Sequence, residues 1–203
     1  MIVAKSSPSS YINSELINDV QFLASDLTQG RKPNSDGHKL AQEYIVEQYK
    51  QAQLKSVTDG FLQHFHIERT FPKSHGANII GILEGKVYPE QYWVITAHYD
   101  HLGFKGRKIY NGANDNASGV ATMLNLARYF SKNPPEYSLI FLATDAEEQD
   151  LLGAKYFVDN PVVPIENIVL NINLDMFGHG TRRKRLYIAG TKHHPYLKEV
   201  ISP

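Results

Sequence analysis

The sequence contains no cysteine among its 203 residues. This absence excludes disulfide bonds, thiolate metal ligands and a cysteine nucleophile, so any metal ion must be held by histidine, aspartate or glutamate. It leaves the cellular compartment open, because many exported proteins also lack cysteine. Nine histidines and 21 acidic residues are available for such a site.

Net charge and long hydrophobic runs are also missing. The 21 basic residues balance the 21 acidic ones, which gives no reason to expect nucleic acid or an anionic membrane as a partner. The longest apolar runs, such as residues 138–143, are far shorter than the roughly 20 residues of a membrane-spanning helix. The first ten residues lack the pattern of a signal peptide. The length predicts a single domain over residues 1–203.

Hydrophobic periodicity divides the chain into a helical first third and an alternating remainder. Apolar residues three and four apart predict helices over residues 13–27 and 38–51, and alternation predicts a strand over 61–69. Short apolar runs predict the later strands, and the stretches between them predict helices. The strands are residues 77–83, 92–97, 138–144, 168–174 and 184–189, and the helices are residues 117–130, 152–159 and 194–201.

Strands that are apolar on both faces and alternate with helices are typical of a sheet that helices cover on both sides. We therefore expect an α/β fold, a three-layer α/β/α sandwich with a mixed, largely parallel central sheet. Ligands of such folds bind beyond the carboxyl ends of the strands. The residues that directly follow each strand are thus the first candidates for chemistry.

Histidine and acidic side chains follow three of the predicted strands, and one more precedes a predicted helix. In chain order they are His98 with Asp100, Asp115, Glu147 with Glu148, and Asp175. Imidazole and carboxylate are the ligands that suit zinc when thiolates are absent. One histidine and three carboxylates are about right for two zinc ions that share a carboxylate, if one further ligand exists.

Each of these groups also has an ordinary structural explanation. Asp115 is a possible helix N-cap, and Glu147 and Glu148 are possible first-turn acids that complement a helix dipole. Asp175 is harder to explain in this way, because a charge directly after a buried strand needs a partner. Their coincidence at one edge of the predicted sheet favours a metal site.

Four ordered motifs resemble the bacterial di-zinc aminopeptidases of the leucyl and aminopeptidase S type, of which glutamate carboxypeptidase II and the glutaminyl cyclases are more distant relatives. The motifs are residues 98–103 (HYDHLG), 111–119 (NGANDNASG), 145–154 (DAEEQDLLGA) and 173–178 (NLDMFG). The successive spacings of 17, 33 and 27 residues that separate His98, Asp115, Glu148 and Asp175 also match. The similarity runs from about residue 23 to the end of the chain.

The resemblance implies a ligand set for two Zn²⁺ ions. Asp115 would bridge the ions, His98 and Asp175 would complete one site, and Glu148 would bind the other ion. The family also has a cis peptide bond after the bridging aspartate, which here is the bond between Asp115 and Asn116.

The resemblance further implies an aminopeptidase that hydrolyses the N-terminal residue of peptides with a hydroxide held between the two ions. Glu147 would act as the general base, and Asp100 would hold the far nitrogen of His98, as carboxylates often do for zinc-binding histidines. The partner would be a peptide substrate with a free amino terminus. Members of the family lead us to expect a secreted or periplasmic protein.

One ligand of the family has no counterpart in this sequence. The family carries a further zinc-binding histidine near the end of its catalytic domain, so we interpret the chain as a C-terminally truncated form in which one zinc is possible in place of two. His193 and His194 lie at the start of a predicted surface helix, and His101 has no ligand role in the family. The basic run at residues 182–185 is typical of a solvated turn.

Two other functions stay open at this point. The first is an inactive metal-binding module of the same fold, which the retained Glu147 argues against. The second is a glutaminyl-cyclase-like acyltransferase with one zinc, although His98 and the paired Glu147 and Glu148 fit a di-zinc hydrolase better. The residue types do not decide among zinc, cobalt and manganese.

Overall fold

The computed structural model describes residues 14–67, 74–178, 188–190 and 192. The helices are α1 (Ser14–Leu23), α2 (Asp36–Gln51), α3 (Ser118–Lys132) and α4 (Leu152–Asp159). The strands are β1 (Lys55–Ser56), β2 (Leu62–Ile67), β3 (Ser74–Leu83), β4 (Tyr88–His98), β5 (Gly103–Lys105), β6 (Lys108–Tyr110), β7 (Tyr137–Thr144) and β8 (Ile168–Asn173). Two 3₁₀ turns cover Asp26–Arg31 and Ile165–Asn167, and a π turn, Ala113–Ala117, leads into α3.

The main sheet is mixed, as the sequence predicts. Its strand order is β1-β3-β7-β4-β8, and β2 also pairs with β3. Strand β3 is antiparallel to β1, β2 and β7, whereas β4 is parallel to both β7 and β8. Strands β5 and β6 form a separate antiparallel hairpin.

The three mutually parallel strands end at one edge of the sheet. In the register of β4 with β7, His98 lies opposite Thr144, and in the register of β4 with β8, Thr96 lies opposite Asn173. The backbone pairing continues for one residue beyond β8, because the N–H of Leu174 donates to the carbonyl of Thr96 at 2.8 Å. The loops that follow these strands therefore start side by side.

Helices cover both faces of this sheet. One core joins α1, α2 and α3 to sheet residues such as Ile79 and Phe141. A second core joins α4 to the alternate positions, among them Ile80 and Leu142. The side-chain period of two places neighbouring apolar residues in opposite layers. The three-layer α/β/α arrangement is confirmed.

Helix α2 shows why the first third is helical. Its N-cap Ser35 accepts a hydrogen bond from the N–H of His38 at 3.1 Å, which satisfies one of the free donors of the first turn. Ala41, Ile45 and Tyr49 repeat every four residues and are fully buried. Leu40 is 41% exposed, because it lies one residue outside this stripe.

The predicted elements are found with shifted ends. The helix predicted over residues 13–27 ends at Leu23, after which the backbone tightens into the Asp26–Arg31 turn and leaves Leu27 67% exposed. The Oγ1 hydroxyl of Thr28 donates to the carbonyl of Leu23 at 2.8 Å, which caps that end. Strands β1, β5 and β6 have two or three residues each, too few to show alternation. The helix predicted at 194–201 and most of the strand predicted at 184–189 lie outside the described residues.

We expect Leu124→Ala to destabilise the protein by about 2–5 kcal/mol, because this α3 side chain is 1% exposed and its removal leaves a cavity in the larger core. Leu40→Ala is the matched control on α2, and it should change the free energy of unfolding by about 0.5 kcal/mol or less. Urea unfolding followed by circular dichroism measures both values. Equal losses for the two variants would contradict the description of the core.

Candidate metal centre

The carboxyl edge of the sheet gathers the side chains that the sequence singled out. His98 is the last residue of β4, Glu147 and Glu148 lie in the loop after β7, and Asp175 lies two residues after β8. Asp115 belongs to the π turn that precedes α3. Two groups of three side chains result, which we call the first trio and the second trio.

The first trio consists of His98, Asp115 and Asp175, whose nearest nitrogen and oxygen atoms all lie within 4.8 Å of one another. The Nε2 atom of His98 is 3.1 Å from Oδ1 of Asp115 and 3.7 Å from Oδ1 of Asp175. These residues come from three different segments of the chain, as the sequence analysis expected of one metal site.

The surroundings of the Nε2 atom of His98 show whether a metal ion fits here. This atom is buried, and among the described residues it has no hydrogen-bond partner of acceptable geometry. An orphaned buried nitrogen costs free energy and calls for an explanation. A divalent cation bound by this nitrogen and the two carboxylates supplies one, so the first trio fits a metal ion.

The second trio consists of His101, Asp115 and Glu148. The Nδ1 atom of His101 is 2.7 Å from Oε1 of Glu148 and 4.0 Å from Oδ2 of Asp115. Asp115 thus directs one carboxylate oxygen to each trio, which is the placement that a bridging ligand needs. The sequence analysis placed Asp115 and Glu148 in this group but gave no role to His101.

Asp100 lies beneath both trios and is fully buried. Its carboxylate accepts the backbone N–H groups of Glu147 at 3.0 Å and Glu148 at 3.3 Å. The Nδ1 atom of His98 is 3.2 Å from the carbonyl oxygen of Asp100, within hydrogen-bond distance, and 3.6 Å from its carboxylate, close enough for an ion pair with a protonated imidazole. Asp100 therefore also fixes the loop that carries the two glutamates.

The surroundings of the site raise the pKa values of both His98 and Glu147. Burial lowers the pKa of His98, but the surrounding carboxylates, led by that of Asp100, outweigh burial and raise the pKa to about 9. The pKa of Glu147 is also raised, chiefly by burial and further by neighbouring carboxylates, although the positive charge of His98 opposes this. A carboxylate with a raised pKa holds a proton more readily, as a general base requires.

Asn116 joins two of the ligand-bearing loops, and the sequence analysis assigned it no such role. The bond between Asp115 and Asn116 is cis, as the resemblance implied. The buried Asn116 amide donates to the carbonyl of Leu174 at 2.9 Å and accepts the N–H of Met176 at 3.2 Å. The backbone on both sides of Asp175 is thus fixed relative to Asp115.

Arg31 anchors the first motif from the N-terminal part of the chain. This residue is 1% exposed, and its guanidinium donates to the carbonyls of Tyr99 at 2.9 Å, Asn111 at 2.7 Å and Gly112 at 3.0 Å. It also donates to the carbonyl of Leu23. Burial lowers the pKa of Arg31 to about 10, and the nearby carboxylates offset part of this effect.

Residues 78–202 match the family model described as peptidase family M28. The chain belongs to this family. The match covers all four sequence motifs and excludes helices α1 and α2.

Among curated relatives, aminopeptidase YwaD of Bacillus subtilis is 38% identical over 113 residues, which is 54% of this chain and 24% of that protein. A probable zinc metalloprotease of Pyrenophora tritici-repentis is 37% identical over 106 residues, or 50% of this chain and 24% of that protein. This M28 chain thus spans about a quarter of the length of these relatives. The name of the Pyrenophora tritici-repentis protein specifies zinc.

Solved structures agree with the fold. A Zn-dependent exopeptidase of Parabacteroides distasonis superposes with a TM-score of 0.65 at 25% identity, covering 84% of this chain and 61% of that one. A glutaminyl cyclase of Bacteroides thetaiotaomicron superposes with a TM-score of 0.62 at 24% identity, also over 84% and 61%. The α/β fold is therefore shared with both of these structures.

The expectation of a secreted or periplasmic location is wrong. Two relatives that match over 80% and 83% of this chain, from Schizosaccharomyces pombe and Schizosaccharomyces japonicus, are vacuolar membrane proteases, each 29% identical. The family resemblance therefore does not imply export. Among the described residues, none of the helices is both long and apolar enough to cross a membrane.

We expect the metal-free chain to bind Zn²⁺ more tightly as the pH rises toward about 9. Histidine must be deprotonated to coordinate a metal, and the carboxylates around His98 hold its proton up to a pKa of about 9. Each pH unit below this value should weaken binding by up to about tenfold. Titrations in chelator-buffered zinc at several pH values measure this. An affinity that stays constant from pH 6.5 to 8.5 would contradict the raised pKa.

Proposed function

We propose that this chain holds the metal centre of a zinc aminopeptidase that hydrolyses the N-terminal residue of peptides, with Glu147 as general base. The observation that carries the proposal is the position of Asp115, which offers one oxygen to each of two trios. A shared carboxylate of this kind supports two metal ions rather than one. His98 and Asp175 would complete one site, and Glu148 would bind the second ion.

Bound divalent metal ions at such a centre make water acidic enough to attack at neutral pH and polarise the carbonyl under attack. The chain supplies the proton transfer. Glu147 lies beside His98 and Asp175 on the wall of a cavity of about 230 Å³. From there its carboxylate would take a proton from the attacking water and return it to the amine that leaves.

The lining of the same cavity suits a small side chain of the substrate. Leu142, Phe157 and Val158 form an apolar part, and Thr96 and Asn173 form a polar part next to the metal ligands. An uncharged side chain of the first substrate residue suits the apolar wall. The acidic residues at the edge of the sheet suit the positive charge of a free amino terminus.

We also propose that residues 1–203 belong to one catalytic domain. Leu23 of α1 and Ile45 of α2 share a buried core with Phe141 of β7. The helices before the family match are thus packed as part of the same hydrophobic unit as the metal-binding edge.

We expect the zinc-loaded chain to cleave peptides with a free amino terminus and to leave N-acetylated copies of the same peptides intact. The acidic residues at the site attract the positively charged amino terminus and thereby position the first peptide bond. Mass spectrometry of the products measures this. Cyclisation of an N-terminal glutamine without cleavage would instead support the glutaminyl-cyclase alternative, and metal binding without turnover of either peptide would support an inactive module.

We expect Glu147→Gln to lower kcat by about 10²–10⁴-fold while zinc content stays the same, because the amide cannot accept a proton and Glu147 belongs to neither trio. Glu166→Gln, at an exposed position in the 3₁₀ turn that precedes β8, is the matched control and should leave kcat unchanged. Stopped assays with an aminoacyl-nitroanilide, together with elemental analysis, measure both quantities. A Glu147→Gln variant that keeps its full kcat would rule out this base.

A further inference from the structure

His101 is a buried imidazole beside the acidic residues of the site. Its side chain is 8% exposed, and its Nδ1 atom is directed toward Glu148 and Asp115. It lies in the loop just after β4, three residues beyond His98. A buried imidazole between two carboxylates is either an ion-pair partner or a metal ligand.

Hydrogen bonds to the backbone hold the segment that carries this imidazole ring. The N–H of His101 donates to the carbonyl of Arg31 at 3.1 Å, while the Nε of Arg31 donates to the carbonyl of Tyr99 at 2.9 Å. This pair of hydrogen bonds holds residues 99–101 against the Asp26–Arg31 turn. Gly112 packs so tightly against the ring that an added Cβ would lie 2.6 Å from Cδ2 of His101.

In both trios the imidazole nitrogen lies within 4.0 Å of two carboxylate oxygens. A tetrahedral zinc ion with ligand distances of about 2.0–2.1 Å separates its donor atoms by about 3.3–3.4 Å. In the first trio, His98 lies 3.1 and 3.7 Å from its two carboxylate oxygens, which spans this value. In the second trio, the corresponding distances from His101 are 2.7 and 4.0 Å, which also span it. In each trio both distances from the imidazole nitrogen to the carboxylate oxygens therefore lie within about 1 Å of the tetrahedral value.

We propose that Nδ1 of His101 is a protein ligand of the second zinc ion, together with Oδ2 of Asp115 and Oε1 of Glu148. This inference rests on the proposed function, in which a second ion binds at Glu148. It adds a ligand to that site, which then has one imidazole and two carboxylates like the first. Each ion would thus have the same donor set, with Asp115 common to both.

A simpler role for His101 is to donate a hydrogen bond to Glu148 at 2.7 Å and thereby orient it. Asparagine separates the two roles, because its amide nitrogen occupies nearly the place of Nδ1 and can still donate to Glu148. The amide nitrogen does not coordinate zinc. His101→Asn therefore keeps the positioning hydrogen bond and removes the ligand.

The experiment measures zinc stoichiometry and affinity by elemental analysis after dialysis and by titration in chelator-buffered zinc. We expect two zinc ions in the unsubstituted 203-residue chain and one in His101→Asn, with the second ion bound more than about 100-fold more weakly. Loss of an orienting partner alone costs about 10–100-fold, so a larger loss indicates a ligand. His98→Asn should lose one ion from the other trio, and His64→Asn, at an exposed position in β2, should keep both.

A His101→Asn chain that binds two ions with less than about 100-fold loss would overturn the inference and leave the proposed function intact. A chain in which Asp115→Asn leaves zinc content unchanged would instead overturn the shared centre itself. The zinc X-ray absorption spectrum of the His193→Asn, His194→Asn chain gives a readout that does not require His101→Asn to fold. With two ions bound, one imidazole per zinc supports the assignment and one half per zinc contradicts it, and a chain that binds a single ion also contradicts it.

Discussion

The parallel pairing of β4 with both β7 and β8 is the constraint on which the site depends. Because their registers align, the ends of three strands that lie far apart in the sequence deliver His98, Glu148 and Asp175 to one edge. A slip of one residue in either pairing would turn every side chain of that strand to the opposite face of the sheet. Strand β3 runs the other way, so its carboxyl end lies at the far edge and contributes none of these groups.

Buried polar side chains hold the loops that follow these strands in fixed positions. Asp100 holds the backbone of the two glutamates, and Asn116 holds the backbone on both sides of Asp175. Neither is a member of a trio. Both are fully buried with their hydrogen bonds made, and satisfied networks of this kind make a structure rigid. The positions of the candidate metal ligands are thus determined by the backbone and its buried partners.

The sequence was sufficient for the elements that are strongly apolar and for the edge at which they converge. Helix α4 was predicted with its observed bounds, and β7 within one residue, because their hydrophobic patterns are unambiguous. His101 was missed as a member of the site because side-chain direction beyond a strand end follows no simple period. Arg31 was missed because it binds backbone carbonyls 68 to 81 residues away. The sequence pattern of side chains does not reveal partners in the backbone.

The position of Arg31 bears on where a working fragment of this protein can be cut. The family match begins at residue 78, yet the guanidinium that satisfies the carbonyls of Tyr99, Asn111 and Gly112 comes from well before it. A fragment trimmed to the matched region would leave these carbonyls without that donor and would expose the face of α3 that α1 and α2 cover. We therefore expect a fragment that begins at residue 78 to be less stable than one that keeps the N-terminal helices.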